Sequence, residues 1–177
     1  HTHLQKENRQ LSFQAHHDQL TSLPNRHYFY EEIINIFKNK QYRHNSALIF
    51  IDNNKFKIIN DQYGHLAGDA VLREMASRLM LSVRQEDFIA RLGGDEFAII
   101  LHTIHHADHL QAIAESLLAS CKEPLDFNGQ LIHFSFSLGI AFSQFADNPD
   151  DLVMQADQAM YKAKNLNPHW FLYKPEI

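Results

Sequence analysis

Two carboxylates stand side by side just after a glycine pair in the run Arg91-Leu92-Gly93-Gly94-Asp95-Glu96-Phe97-Ala98-Ile99-Ile100. Gly93-Gly94 between two apolar runs predicts a two-residue hairpin turn, since both glycines take positive φ without a Cβ clash. Adjacent negative charges at a hairpin tip repel each other, and a divalent cation is the simplest group that makes them favourable. Asp52 ends another apolar run, residues 47–51. If those runs are neighbouring strands, Asp52, Asp95 and Glu96 meet at one edge of a sheet. Mg²⁺ commonly takes one or two carboxylates plus substrate phosphates, so the cluster suits chemistry on nucleotide phosphates. The plainer alternative is a turn aspartate at 52 and two solvated tip residues, and spacing alone leaves both open.

Residues 52–69, directly behind Asp52, are rich in lysine, amide and carboxylate groups. Ligands collect at such strand ends in α/β proteins. Lys57 offers a point charge for a phosphate. Asn60 and Asp69 could read a base edge, the carboxylate accepting from N–H groups such as those of guanine, although Asp69 could equally cap a helix. No P-loop and no Rossmann glycine pattern is present, so a nucleotide would be held by other means. His102, His105, His106 and His109 have spacings that suit zinc on a helix, but they follow a strand end and read better as a solvated, polar connection.

A sheet edge must hold such a cluster, and the flanking sequence supplies one. Residues 47–51 read as a buried strand, and 88–92 with 97–101 as an antiparallel pair. Ile132, Phe134, Phe136, Leu138, Ile140 and Phe142 alternate with His133, Ser135, Ser137, Gly139 and Ala141. That period of two predicts one strand with a crowded face and an open face. Phe29, Ile33, Ile34 and Phe37 recur at helical spacing, as do Leu72, Met75, Leu79 and Val83 in a helix expected after Gly68. Residues 110–121 and 152–164 predict two more helices, and 169–173 a closing edge strand. Hairpins among the helices favour an α+β fold, a central mostly antiparallel sheet flanked by helices, over a doubly wound parallel one. Leu4 and Leu11, one heptad apart in a polar opening, suggest a helix arriving from upstream, broken at Leu23-Pro24.

A chain of 177 residues with net charge -5 builds one domain with its own core and lacks the basic surface of a nucleic-acid binder. The single cysteine, Cys121, excludes an internal disulfide framework and sits at helical spacing from Leu110, Ala114 and Leu117, which predicts a buried apolar role. No stretch approaches the roughly 20 apolar residues that cross a bilayer, and no signal peptide is visible. The expected location is cytoplasmic, whether or not a parent protein is membrane-anchored.

These residues together resemble a GGDEF domain, the catalytic module of bacterial diguanylate cyclases. Gly93-Gly94-Asp95-Glu96-Phe97 is the namesake motif. Asp18-Gln19-Leu20-Thr21-Ser22-Leu23-Pro24-Asn25-Arg26 resembles the family's N-terminal signature. Phe56-Lys57-Ile58-Ile59-Asn60-Asp61 with Gly64-His65 and Gly68-Asp69, Ser137-Leu138-Gly139-Ile140, and residues 156–164 match the remainder, in family order, over roughly residues 18–173.

The resemblance implies the fold of the adenylyl cyclase catalytic core and a homodimer in which two GTP condense to cyclic di-GMP with release of pyrophosphate. It implies Mg²⁺ or Mn²⁺ held by Asp52 and Asp95, with Glu96 helping the metal or deprotonating the hydroxyl. Asn60 and Asp69 would contact guanine, Lys57 and Lys164 the phosphates, and Gly93 and Gly94 would let the ligand approach the backbone. Arg84-Gln85-Glu86-Asp87 stands at the offset of the family's inhibitory RxxD motif, so Arg84 and Asp87 would bind product; taken alone, the pair reads as a helix-end arginine and a turn aspartate. Two positions depart from the pattern. Asn54 replaces a second aspartate, and Pro168 replaces an arginine expected on phosphate, which removes a donor; His169 compensates only weakly and when protonated. The motif therefore argues for binding more firmly than for fast catalysis. The competing expectation is a weak or inactive module that binds GTP or cyclic di-GMP and regulates an adjacent EAL phosphodiesterase domain. Residues 1–17 are expected to be a helical linker from an upstream sensor and 18–177 the domain, passing into a downstream EAL domain, with no nucleic acid polymer as partner.

Overall fold

The computed structural model describes residues 2–104 and 106–175. Its centre is β1 (Ala47–Asn53), buried along its whole length. The run of β-branched and aromatic side chains there has an apolar environment on both faces because helices cover both sides of the sheet. β3 (Glu96–Leu101) and β6 (Phe136–Phe142) flank it, both antiparallel. β2 (Phe88–Gly93) pairs antiparallel with β3, and β7 (Trp170–Leu172) pairs parallel with β6, giving the order β2-β3-β1-β6-β7. A mostly antiparallel sheet flanked by helices is therefore the architecture, as the sequence pattern predicts.

Alternation along the strands divides the interior into two layers. Ile49, Ile51, Phe97, Ile99, Leu138 and Ile140 face one layer. It is closed by α3 (Phe56–Tyr63), α4 (His65–Ser82) and α5 (Ala107–Ala119) through Ile59, Val71, Met75, Leu79, Leu110 and Leu117. Leu48, Phe50, Ala98 and Ile100 face the other layer, with Phe29, Ile33 and Ile36 of α2 (Arg26–Lys38) and Leu152, Ala156 and Met160 of α6 (Pro149–Ala163). Both N-caps on that side are asparagines whose side chains accept a helix N–H: Asn25 from Tyr28 and Asn148 from Asp151. Helix α1 (Thr2–His16) precedes this body and buries none of its residues.

Four expectations change. The predicted turn moves by one residue: Gly93 pairs with Glu96, leaving Gly94 and Asp95 as the two central positions. A bulge between Arg91 and Gly93 causes the shift, and both glycines hold positive φ, +135° and +51°. The alternating run from Ile132 to Phe142 is not one strand, because residues 133–135 leave the ladder between β5 (Gln130–Ile132) and β6; β5 pairs instead with β4 (Leu125–Phe127) in a separate hairpin. The expected open face of β6 is covered. Gly139 lies against α6 so closely that a Cβ would strike the backbone at Met160 and Ala156. Finally, the polar segment behind Asp52 contains α3, and α4 begins at His65 rather than after Gly68. Cys121 is half-buried, and burial pushes its thiol up to about 12, in keeping with an apolar role. Among the described residues, no helix is long and apolar enough to cross a membrane.

Candidate active site

Asp52 and Glu96 are directly opposite one another at the ends of β1 and β3, so their side chains share one face of the sheet. Asp95 stands beside them at the hairpin tip. Lys164, immediately after α6, reaches back to this edge, with its Nζ 2.6 Å from Asp52 Oδ2. The other oxygen, Asp52 Oδ1, is buried without a hydrogen-bond partner among the described residues. Burial, and then the neighbouring Asp52 carboxylate, push the Asp95 carboxyl up to about 7. Glu96 is raised too, by burial and then by Asp52 and Asp157, against Arg26 and Lys164. The Lys164 ammonium is raised, mainly by its bond to Asp52.

An orphaned buried carboxylate oxygen among acids held above their ordinary range fits a hard divalent cation with oxygen preference. The three acids do not, however, converge on a point. Among the described residues their ligand atoms are not all within 4.8 Å of one another. Asp52 and Asp95 are the closer association, and Glu96 stands alongside. One or two protein carboxylates is what Mg²⁺ ordinarily takes, the remainder being phosphate and water.

The hairpin is held in place by a residue that local sequence patterns do not single out. Arg91 donates from Nε and Nη2 to the Gly94 carbonyl, at 3.1 and 2.8 Å, and from Nη1 to Asp18 Oδ1 at 2.8 Å. Asp18 in turn accepts from the backbone N–H and hydroxyl of Thr21, at 2.9 and 2.8 Å. Arg26 adds a bond from Nε to the Leu92 carbonyl. Two arginines thus tie the tip carrying Asp95 to the segment that opens α2.

Other predicted site residues fall into separate groups. Asn60 on α3 packs against Gly68 of α4, the residue just before Asp69. The glycine permits that packing, since a Cβ there would collide with the Asn60 amide. Neither side chain has a hydrogen-bond partner among the described residues, and Asp69 does not cap α4, whose N-cap is Gly64. Lys57 is exposed on α3. The residue before α3, Lys55, sits at φ +63°, and no side chain caps that helix, so its first N–H groups are left for an anion close behind Asp52. A cavity of about 480 Å³ lies here, lined by Asn53, Lys55, Lys164 and His169 among others. Asn54 is not a spare oxygen ligand: its amide donates to Ser135 Oγ at 2.9 Å and accepts from Ser137 Oγ at 2.7 Å. Pro168 is exposed, and His169 Nδ1 is 3.3 Å from the Ala163 carbonyl.

Arg84 and Asp87 lie at the opposite end of β2 from the hairpin and bind each other. Arg84 Nε and Nη2 donate to the two Asp87 oxygens at 3.1 and 2.9 Å, and the Arg84 N–H adds a third bond to Oδ2 at 2.9 Å. The described histidines of the 102–109 cluster do not assemble a ligand set. His102 is packed on Tyr42 with Nε2 3.7 Å from Glu32, while His106 and His109 face each other edge-on; His105 lies outside the described residues.

Residues 15–168 match the family model described as "Diguanylate cyclase, GGDEF domain". The chain belongs to the GGDEF family. Among curated relatives, the diguanylate cyclase TpbB of Pseudomonas aeruginosa is 43% identical over 164 residues, covering 91% of this chain and 38% of its own length. The chain therefore spans well under half of that relative. Among solved structures, the isolated GGDEF domain of TpbB (YfiN) superposes with a TM-score of 0.82 at 39% identity, covering 90% of this chain and 95% of that one. The coiled coil and GGDEF domain of DgcB from Caulobacter crescentus, solved in complex with c-di-GMP, gives a TM-score of 0.84 at 26% identity, covering 92% and 87%. In this GGDEF domain the namesake motif is the β2–β3 turn, and the residues that steady it, Arg91 and Asp18, are 73 positions apart.

Proposed function

We propose that this GGDEF domain is a diguanylate cyclase, with two copies each presenting one GTP so that two GTP yield cyclic di-GMP and two pyrophosphates. The observation that carries the reading is the frustrated acid cluster at Asp52, Asp95 and Glu96, placed between a lysine and an uncapped helix start. Guanine is read by Asn60 and Asp69, whose amide and carboxylate are unspent. The triphosphate is taken by the first N–H groups of α3, by Lys164 and, from the exposed side, by Lys57. Gly93 and Gly94 keep side chains out of the approach to the tip. A bound Mg²⁺ or Mn²⁺ would be held by Asp52 and Asp95, with Glu96 beside them, and would supply charge neutralisation for the triphosphate.

In each half-reaction the 3′-hydroxyl of one GTP forms a bond to the α-phosphorus of the other. The bond from that phosphorus to the bridging oxygen breaks, and pyrophosphate leaves. Glu96, held above its ordinary range by burial, takes the hydroxyl proton. Since one chain offers one such site, the reaction needs a second copy. Product formation from GTP and Mg²⁺ should rise more steeply than linearly with protein concentration until the dimer is saturated. GTP binding without any product at high concentration would sink the cyclase reading.

That outcome would favour the second reading, a nucleotide-binding module that regulates an attached EAL domain. Pro168, which cannot donate where the family's arginine would, is the observation on its side. Feedback by product belongs to the same proposal, with Arg84 and Asp87 as its site. Arg84→Ala should weaken cyclic di-GMP binding about tenfold or more in calorimetry, and unchanged affinity would remove that site. The division into a linker at 1–17 and a domain at 18–177, an upstream sensor and a cytoplasmic location complete the proposal.

A further inference from the structure

Helix α1 buries nothing, yet its last residue meets the body of the domain in a small cluster of metal-ligating groups. His16 ends α1, and His27 and Glu31 lie on the first two turns of α2. One ligand atom from each lies within 4.8 Å of the other two. The Glu31 carboxylate serves both rings, with Oε1 3.1 Å from His27 Nε2 and Oε2 3.5 Å from His16 Nε2.

The tautomer of His16 follows from its other nitrogen. Nδ1 is 2.9 Å from the Ser12 carbonyl oxygen, which can only accept, so Nδ1 carries a proton. In a neutral ring Nε2 is then a lone pair aimed at a carboxylate oxygen. Two acceptors in contact need a cation between them, a second proton or a metal ion. A ring whose far nitrogen is fixed by a backbone carbonyl is the usual outer-shell arrangement of a metal-ligating histidine.

We propose that His16, His27 and Glu31 bind a divalent transition metal of the zinc class, which staples the end of α1 to α2. Two imidazole nitrogens and a carboxylate oxygen suit Zn²⁺, and not Mg²⁺. Tetrahedral zinc with bonds of roughly 2.0–2.1 Å places its ligand atoms about 3.3 Å apart. The contacts of 3.1 and 3.5 Å are made by the two different oxygens of Glu31, and with one atom from each residue within 4.8 Å of the others, small side-chain rotations bring the set to that spacing. The side chains are 32%, 64% and 50% exposed, so they adjust at little packing cost, and a fourth position is open to water. Without metal, the end of α1 is held by backbone and amide bonds: Asn25 N–H to the His16 carbonyl at 2.9 Å and Asn25 Nδ2 to the Ala15 carbonyl at 3.0 Å. A metal adds a side-chain cross-link across that junction and fixes the direction in which α1 leaves it.

The test is calorimetric titration of Zn²⁺ into the chelator-treated chain with Mg²⁺ present in excess. About one equivalent should bind in the micromolar range or tighter, and Co²⁺ should give the visible absorption of a tetrahedral site. His27→Ala and Glu31→Gln should each weaken Zn²⁺ by about tenfold or more and abolish the Co²⁺ band. Circular dichroism should show both folded, since both residues are exposed. The double variant His106→Ala/His109→Ala should leave binding intact. Absence of binding, unchanged affinity in His27→Ala, or loss confined to the His106/His109 variant would each overturn the site.

Discussion

The two ends of β2 treat charge in opposite ways. At the hairpin, carboxylates from β1, the turn and β3 are crowded together with one lysine, leaving a buried oxygen unpaired among the described residues and a carboxyl that holds its proton up to about 7. At the other end, Arg84 and Asp87, three residues apart, satisfy each other through three hydrogen bonds. The first arrangement is costly until something arrives, and the second is already content. A ligand at the hairpin relieves repulsion, whereas one at Arg84 must first compete with Asp87 for the guanidinium.

The comparison can be broken most sharply at Glu96. Glu96→Gln should lower cyclic di-GMP formation by about a thousandfold, roughly 4 kcal/mol in the barrier, while GTP binding persists. Product chromatography alongside nucleotide titration would show whether the two separate. Next in size is Asp87→Ala, which removes three of the hydrogen bonds that Arg84 makes in that corner and leaves it the Thr103 carbonyl and Glu86. It should cost about 2 kcal/mol in urea unfolding, and a change near zero would mean the corner is not a stabilising pair. Arg91→Ala should leave the fold standing and reduce turnover by about tenfold, through a looser hairpin tip. The smallest effect reverses the usual sign. The Asp95 carboxyl titrates higher in the folded chain than in the unfolded one, so its charge destabilises the fold. That penalty is absent below about pH 4, grows as pH rises, and is complete above about 7. Without divalent cation, Asp95→Asn should therefore stabilise the chain at pH 8 by about 1 kcal/mol after solvent screening, with the gain vanishing toward pH 4. Thermal melts at the two pH values would decide it.

Much of this architecture is written locally. Strand ends are marked where apolar runs stop at Asp52 and start after Asp95-Glu96, so the meeting of three acids at one edge can be read from the chain. What fails to show is anything set by a partner distant in sequence. Gly93 and Gly94 both suit a turn, and the bulge at Arg91 decides which residues make it. Ser137, Gly139 and Ala141 read as an open face because periodicity reports alternation, not what covers it; α6 covers it, and its close approach needs the glycine at 139. Arg91 gives no local signal of its bond to Asp18. Histidine density points to residues 102–109, while the histidines that converge, His16 and His27, sit eleven positions apart and meet only because the 17–25 loop turns α1 back onto α2.

Lys164 and Asp52 form an ion pair at the mouth of the sheet edge, with the carboxylate buried and the lysine open to solvent. A cation arriving alone would compete with Lys164 for Asp52, and a triphosphate arriving alone would compete with Asp52 for Lys164 while facing Asp95 and Glu96. Arriving together, they would let both partners change hands at once, the cation taking the carboxylate and the phosphate the ammonium. On the proposed function, the pair would favour metal and nucleotide binding together over either one alone.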